Sequence, residues 1–197
     1  MSNFKGLTPE AKAHLLPENV ILLGYRGSIA HGMYSNPEDP NSIDDKDLMG
    51  VCFGPANTYF GDAKFEQKEA VYEEWDSVVY ECRKMIRLLK NSNPNVLSLL
   101  WLKENHYVFK TDAGQELIDY RNLFTSKRIY KAFTGYAYGQ LKRMTHLAFE
   151  GYMGDKRKGL VQKHGYDTKN ASHLIRLLKM GIEFLNEGQL YVFRHDA

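Results

Sequence analysis

The spacing of apolar and polar positions predicts an α/β unit followed by helices. Continuous apolar runs predict neighbouring buried strands over residues 20–25 and 45–53, and a mixed region over 63–75 predicts one or two more strands. From residue 76 onwards the apolar positions recur at helical spacing. Helices are predicted over 9–16, 77–91, 94–102, 111–119, 126–150 and 168–186. The predicted fold is α+β: a small mixed β-sheet with flanking helices, followed by a C-terminal helical region.

Several local expectations follow from the same pattern. Residues 34–44 and the basic stretch 153–165 are predicted to be loops, and 190–193 to be a short strand. Helical spacing favours core packing for Tyr130, whereas it does not decide whether Tyr136 and Tyr138 pack in the core. On the last helix the residues predicted to face inward are Ala171, Leu174, Ile175, Leu178, Ile182 and Leu185.

The composition is that of an ordinary globular protein. The 197 residues are 43% hydrophobic and 25% charged, which is enough for one domain or two small ones. There is neither an apolar run long enough for a membrane span nor an N-terminal secretory pattern. The two cysteines, Cys52 and Cys82, have apolar neighbours and are expected to be core thiols. These features favour a reducing cytoplasm.

Charge is distributed unevenly along the chain. Residues 1–120 contain 12 Lys and Arg against 18 Asp and Glu, whereas residues 121–180 contain 13 against 3. An acidic half beside a basic half suits a metal-dependent enzyme that acts on a polyanion. The alternative is that the basic helices simply present a solvated face.

A Gly-Ser pair follows the first predicted strand. Gly27 would let a phosphate approach the backbone closely, and the hydroxyl of Ser28 with nearby amides would bind its oxygens. A Gly-Ser pair also occurs in any turn, so alone it is a weak signal.

Two carboxylates stand at the start of the next strand. Asp45 and Asp47 are separated by one residue, so a regular strand projects both from the same face. Two carboxylates in this arrangement can share a pair of divalent cations, which suits in-line displacement at phosphorus. Asp44 is the competing ligand, but it and Asp47 would point to opposite faces.

A third carboxylate would complete such a site and accept a proton from an attacking hydroxyl. Asp76 is the best candidate because it ends a predicted strand region just before a predicted helix. Its alternative role is to cap that helix. Glu73 and Glu74 are less favoured candidates.

Three stretches in this order resemble the RNA repair pathway DNA polymerase beta family, within the polymerase beta nucleotidyltransferase superfamily. They are GSIAHG at 27–32 with DKDLMGV at 45–51, Asp76 through NPNVL at 93–97, and YDTKNASHLIRL at 166–177. The resemblance covers residues 20–190. It implies a catalytic core over 1–110 and a helical basic region over 111–197, with the active site between them.

The resemblance also implies roles for individual residues. Ser28 would contact the triphosphate, Asp45 and Asp47 would bind two Mg²⁺ ions (Mn²⁺ being the alternative), and Asp76 would be the third carboxylate and the base. Two features depart from the superfamily pattern. The loop from Ser28 to Asp45 is long, and Lys46 replaces the usual apolar residue between the two acids. Lys46 is expected to point away from the metals.

A cationic stripe is predicted on the last helix. Lys169, His173 and Arg176 stand at i, i+4 and i+7, opposite the apolar positions named above. With Lys163 and His164 on the preceding segment, they could hold phosphates of the nucleotide or of an acceptor. The alternative is a basic solvent face.

Together these observations predict a nucleotidyltransferase that moves a nucleoside monophosphate from a nucleoside triphosphate to an acceptor hydroxyl and releases pyrophosphate. The basic second half and the resemblance favour an RNA (tRNA-like) end as acceptor. The alternatives are a small-molecule or protein hydroxyl, or a non-catalytic nucleotide- or RNA-binding protein of the same fold. The trio Asp45, Asp47 and Asp76 argues against the last, since a binding module has no need of clustered, repelling carboxylates. The sequence does not define the oligomeric state.

Overall fold

The computed structural model describes residues 4–34, 46–145 and 155–195. Within them the chain forms two compact units. The first contains residues 4–34, 46–125 and 192–195, and the second contains 126–145 and 155–191. Each unit is described below by itself.

One mixed sheet organises the first unit. Among the described residues its five strands lie in the order β3-β4-β2-β1-β5, in which β2 and β4 are parallel and the other neighbouring pairs are antiparallel. This confirms the predicted α+β class. The strands are β1 Val20–Tyr25, β2 Lys46–Cys52, β3 Gln67–Tyr72, β4 Trp75–Glu81 and β5 Tyr107–Lys110.

Short helices flank this sheet, and polar side chains cap several of them. Thr8, Asn93 and Thr111 each accept a hydrogen bond from a backbone N–H in the first turn of the helix that follows. The helices are α1 Pro9–Leu15, α2 Gly27–His31, α3 Ala56–Phe60, α4 Cys82–Lys90, α5 Pro94–Leu97 and α6 Asp112–Asp119, with 3₁₀ turns at Ser98–Trp101, Glu104–His106 and Arg121–Phe124.

One face of the sheet packs into a core with α1. Leu48 and Cys52 of β2 share this face with Trp75 and Val79 of β4, and all four are buried. Because strand side chains alternate between faces, Asp47 and Asp76 project from the opposite face.

The prediction of a helix beginning at Ser77 is wrong for residues 77–81, which belong to β4. Asp76 lies inside β4, which pairs with β2 on one side and β3 on the other. The helix begins at Cys82, where the buried carboxylate of Glu81 accepts hydrogen bonds from the N–H groups of Arg83 and Lys84. Asp76 therefore does not cap a helix, and its side chain remains available to the site.

The second unit is helical. Its helices are α7 Arg128–Thr145, α8 Asp155–His164 and α9 Thr168–Glu187. The prediction of a basic loop over 153–165 is wrong for residues 155–164, which form α8. Helix α9 begins at Asp167, whose buried carboxylate accepts from the N–H groups of Lys169 and Asn170 and from Asn170 Nδ2 at 2.7 Å. It ends at Gly188, which has φ 69°.

The inward face of α9 is the reverse of the predicted one. The buried residues are Asn170, Leu177, Met180, Gly181 and Phe184, and a Cβ on Gly181 would already contact the Phe133 ring of α7. Most of the predicted inward stripe is exposed, with Ile175, Leu178, Ile182 and Leu185 between 42% and 59% accessible. Two apolar stripes run along this helix, and close packing on Phe133 favours the one that contains the small Gly181.

Two further expectations are corrected. Tyr130 is 60% exposed instead of packing in the core, and residues 190–193 do not form a strand. In the parts of the chain that the structure describes, no helix is both long and apolar enough to cross a membrane.

Candidate active site

Two carboxylates face each other across the parallel strands β2 and β4. Asp47 and Asp76 are register partners, and both project from the face opposite the α1 core. Their side chains are 26% and 43% accessible, so both are partly buried and can still be reached by a ligand. Pairing of β2 with β4 is what brings together two residues that are far apart in sequence.

A single cationic group bridges these carboxylates. Arg26 Nη2 donates to Asp47 Oδ1 at 3.4 Å and to Asp76 Oδ2 at 3.2 Å. One positively charged nitrogen therefore lies within ion-pair distance of both acids. The sequence interpretation missed Arg26, because an isolated Arg before a turn belongs to no pattern. Its position directly after β1 was the only available signal.

Gly27 brings the strand-to-helix turn against Asp47. Its φ is 62°, and a Cβ at this position would overlap Asp47 Oδ2. The N–H of Arg26 also donates to the carbonyl of Asp47 at 2.9 Å. Ser28 follows in the first turn of α2 and is half-buried. The predicted Gly-Ser turn thus lies beside one of the predicted metal ligands.

Lys46 points away from the carboxylates, as expected. Its Nζ donates to Glu74 at 3.0 Å and lies 5.1 Å from the centre of the Trp75 ring, on the α1 side of the sheet. The hydrogen bond to Glu74 raises the pKa of Lys46. Glu74 is therefore an ion-pair partner of Lys46 and not a ligand beside Asp47. Glu73 lies in the exposed β3–β4 turn with φ 53°.

Asp45 and its competitor Asp44 lie outside the described residues. Among the residues that are described, there is no cluster of three or more His, Cys, Asp and Glu side chains able to hold a metal ion. The oxygens of Asp47 and Asp76 nevertheless converge on one stand-in cation, the guanidinium of Arg26. Carboxylate oxygens are the donors that Mg²⁺ prefers, so the residues present fit a divalent cation.

The other predicted nucleotide ligands belong to the second unit. Lys163 is an exposed residue of α8. Lys169, His173 and Arg176 are half-buried on α9, on the side of the helix that carries Met180. The three residues line up along α9, but on the packed side of the helix and not on a solvent face.

Arg176 is the least accessible of these cations. Its Nη2 donates to His173 Nδ1 at 2.9 Å; because Arg has no acceptor, that nitrogen of His173 carries no proton. The buried Nε and Nη1 atoms have no hydrogen-bond partner among the described residues. Burial lowers the pKa of Arg176 to about 10, so the group stays charged at neutral pH. A buried guanidinium with unused donors suits an anion.

The chain's final described residues anchor the short helix of the active-site turn. His31 Nδ1 donates to the carbonyl of Val192 at 2.9 Å, and the N–H of Arg194 donates to the carbonyl of His31 at 3.0 Å. Gly32, with φ 75°, leaves no room for a Cβ against the Arg194 carbonyl and the Phe193 ring. His31 therefore orders the turn.

The chain was compared with curated proteins, with solved structures and with protein families. No curated protein matches it. A nucleotidyltransferase-like protein from Exiguobacterium sibiricum, known from a crystal structure, aligns at 12% identity and a TM-score of 0.36. That alignment covers 88% of this chain and 53% of the other, so this chain spans about half the length of that protein.

A protein-family match also covers nearly the whole chain. Residues 5–191 match the RNA repair pathway DNA polymerase beta family, which covers the whole sheet and all three helices of the second unit. The three stretches identified in the sequence lie within this match. The chain belongs to the RNA repair pathway DNA polymerase beta family.

Proposed function

We propose that this enzyme transfers a nucleoside monophosphate from a nucleoside triphosphate to a hydroxyl at an RNA end and releases pyrophosphate. The observation that carries the proposal is the convergence of Asp47 and Asp76 on one cationic nitrogen of Arg26. A protein gains no stability from placing two carboxylates together unless a cation binds them. The pair therefore indicates a place where cations are held.

Asp45, Asp47 and Asp76 would hold two Mg²⁺ ions, for which Mn²⁺ could substitute. Bound there, the ions would neutralise charge that develops on the phosphate oxygens. In the reaction the acceptor oxygen forms a bond to the α-phosphorus, and the bond from that phosphorus to the bridging oxygen of the leaving pyrophosphate breaks. The hydroxyl proton passes to the carboxylate of Asp76, which acts as the base.

Each unit carries groups that would bind phosphates. Gly27 and Ser28 would bind phosphate oxygens at the turn beside Asp47. Lys163, Lys169, His173 and Arg176 would supply positive charge to the triphosphate or to phosphates of the acceptor. The unused, buried donors of Arg176 support this role, since they can be satisfied by phosphate oxygens.

An RNA acceptor is favoured by charge and by family. Residues 121–180 carry 13 Lys and Arg against 3 acids, and the family is described as acting in RNA repair. Transfer to a small molecule or a protein hydroxyl is the alternative. Steep loss of acceptor binding with added salt would support RNA, whereas salt-insensitive turnover would indicate an uncharged small acceptor.

The direct test is incubation with each labelled nucleoside triphosphate, Mg²⁺ and total cellular RNA. We expect label from the α-phosphate to become covalently attached to an RNA fraction, and label from the γ-phosphate to leave as pyrophosphate. Asp47→Asn and Asp76→Asn should each lower the rate by about a hundredfold or more, because each removes several kcal/mol of metal-dependent stabilisation.

Glu74→Gln is the matched control. It also neutralises one carboxylate beside β4, but that carboxylate binds Lys46 on the other side of the sheet. Wild-type-like transfer by the Asp47→Asn/Asp76→Asn double variant would end the proposal. Label on protein or on a small molecule, with none on RNA, would show that the acceptor is not RNA, while the proposed nucleotidyl transfer would stand.

A further inference from the structure

The exposed side of α7 combines positive charge with aromatic rings. Residues 121–145 contain no Asp or Glu. Cations occur along the whole helix, from Lys127 just before its first turn to Arg143 in its last. Positive charge repeated along one helix attracts a polyanion.

Helix geometry places two tyrosines within this charged face. At about 100° per residue, Tyr130, Tyr138, Lys131 and Lys142 fall within a sector of about 120°. Tyr130 and Tyr138 are 60% and 59% exposed, and Lys142 Nζ lies 4.8 Å from the centre of the Tyr138 ring. The adjoining sector, which contains Ile129, Phe133 and Ala137, is buried.

We propose that this face of α7 binds the single-stranded end of an RNA. The bases would stack on Tyr130 and Tyr138, and the phosphates would lie along Lys131 and Lys142. Exposed aromatic rings among cations provide the sequence-tolerant stacking that single-stranded nucleic acid uses. The inference rests on the proposed function, for which it identifies the surface that receives the acceptor.

The chemistry of the face favours a single strand over other occupants. Bases in a duplex are already stacked and cannot use exposed tyrosines, so a duplex would need only the lysines. An acidic protein would also be attracted by the lysines. Two tyrosines of equal exposure within the same charged sector are a feature that unstacked bases use and that neither of these partners requires.

The test measures binding of a fluorescent single-stranded RNA oligonucleotide to the full chain, without nucleotide or metal. Tyr130→Ala and Tyr138→Ala should each weaken binding at least about fivefold. Tyr130→Phe and Tyr138→Phe keep the ring and should bind like wild type. Tyr120→Ala is the matched control, since Tyr120 is an equally exposed tyrosine of the first unit at 62%. Circular dichroism verifies that each variant is folded.

The lysines have a separate readout. Lys131→Gln with Lys142→Gln should reduce the slope of log affinity against log salt concentration by about 1.4, or about 0.7 for each lost phosphate contact. Unchanged RNA affinity in the two tyrosine-to-alanine variants would overturn the proposal. The proposal would also be overturned if a duplex or an acidic protein bound as tightly as the single strand and its binding did not change when the tyrosine rings were removed.

Failure of this inference and failure of the proposed function can be told apart. Binding of the oligonucleotide is measured without nucleotide or metal, so it does not depend on catalysis. A wild-type protein that binds RNA through α7 but never labels it would refute the transfer proposal alone. A protein that labels RNA with undiminished affinity in the alanine variants would refute the α7 surface alone.

Discussion

Asp47 of β2 and Asp76 of β4 are register partners on neighbouring parallel strands, and one nitrogen of Arg26 binds both of them. The two acids are 29 positions apart in sequence, yet strand pairing makes them adjacent. Their mutual repulsion is relieved by a cation that the protein itself supplies. This arrangement makes Arg26 a competitor for any metal that binds there.

Replacing Arg26 tests that competition. In Arg26→Gln the carboxylates lose their bound cation, so Mg²⁺ should bind more tightly and raise the unfolding midpoint further than in wild type. Without metal the variant should lose at most about 1 kcal/mol of stability, because the ion pairs are partly exposed. Calorimetric titration with Mg²⁺ measures the affinity. Weaker Mg²⁺ binding in Arg26→Gln would show that Arg26 assists the metal and does not replace it.

Gly27 should tolerate no side chain. Gly27→Ala would place a Cβ on Asp47 Oδ2 and force alanine into a left-handed conformation, at a cost of about 1–3 kcal/mol. Displacement of Asp47 should also lower transfer activity. Urea unfolding followed by tryptophan fluorescence reports this, since Trp75 and Trp101 both belong to the first unit.

The matched control for that variant is Gly135→Ala. A Cβ at Gly135 would meet nothing within 4 Å, and the residue lies inside α7. Alanine there should stabilise the helix by about 0.5–1 kcal/mol, which circular dichroism would measure, and should leave the tryptophan signal of the first unit unchanged. Equal stability and activity in Gly27→Ala and wild type would show that the turn can move away from Asp47.

His106 should make the first unit less stable in mild acid. Its ring packs on Tyr25 and Phe193, and burial, helped by Lys103, lowers its pKa from the ordinary 6.5. As the pH falls below 6.5, the unfolded chain therefore takes up a proton that the folded state resists, and stability decreases. His106→Phe should show a smaller decrease between pH 7.5 and 5.5. The measurement is urea unfolding at both pH values, and identical pH dependence in both proteins would contradict this assignment.

Arg176 should respond to anions. Its buried Nε and Nη1 donors lack partners among the described residues, so pyrophosphate should raise the unfolding midpoint of the wild type by several degrees near saturation. Arg176→Met keeps much of the volume, removes the charge and should show no such rise. Because an unpaired buried charge is costly, the variant should be at least as stable as wild type without anion. A pyrophosphate response that survives in Arg176→Met would place the anion elsewhere.

The sequence predicted those parts of the fold that depend on local pattern. The continuous apolar run of β1 and the starts of α5 and α6 appeared where expected, to within one residue. The error at Asp76 arose because β4 passes into α4 without a loop. Val78 of the strand and Cys82 and Met85 of the helix together imitate helical spacing. Only the pairing of β4 with β2 and β3 identifies the strand.

The predictions that were wrong concern features that depend on contacts between residues distant in sequence. Two apolar stripes run along α9, and packing of Gly181 on Phe133 decides which one is buried. The same packing turns Arg176 and His173 from a surface stripe into a half-buried pair. For the candidate site, the pattern of acids predicted Asp47 and Asp76, which the sheet places side by side, whereas the contact of Arg26 with both became visible only when β1 lay beside β2. The part played by Asp45 stays a prediction.

The most direct measurement is calorimetric titration of Mg²⁺, in the presence of a nucleoside triphosphate that cannot be cleaved at the α-phosphate, into wild type, Asp47→Asn and Asp76→Asn. We predict metal-dependent nucleotide binding by the wild type and its loss, or a large reduction in affinity, in both variants. Glu74→Gln should behave like wild type. Undiminished metal binding by the double variant Asp47→Asn/Asp76→Asn, or none by the wild type, would contradict the assignment of these aspartates to a metal site.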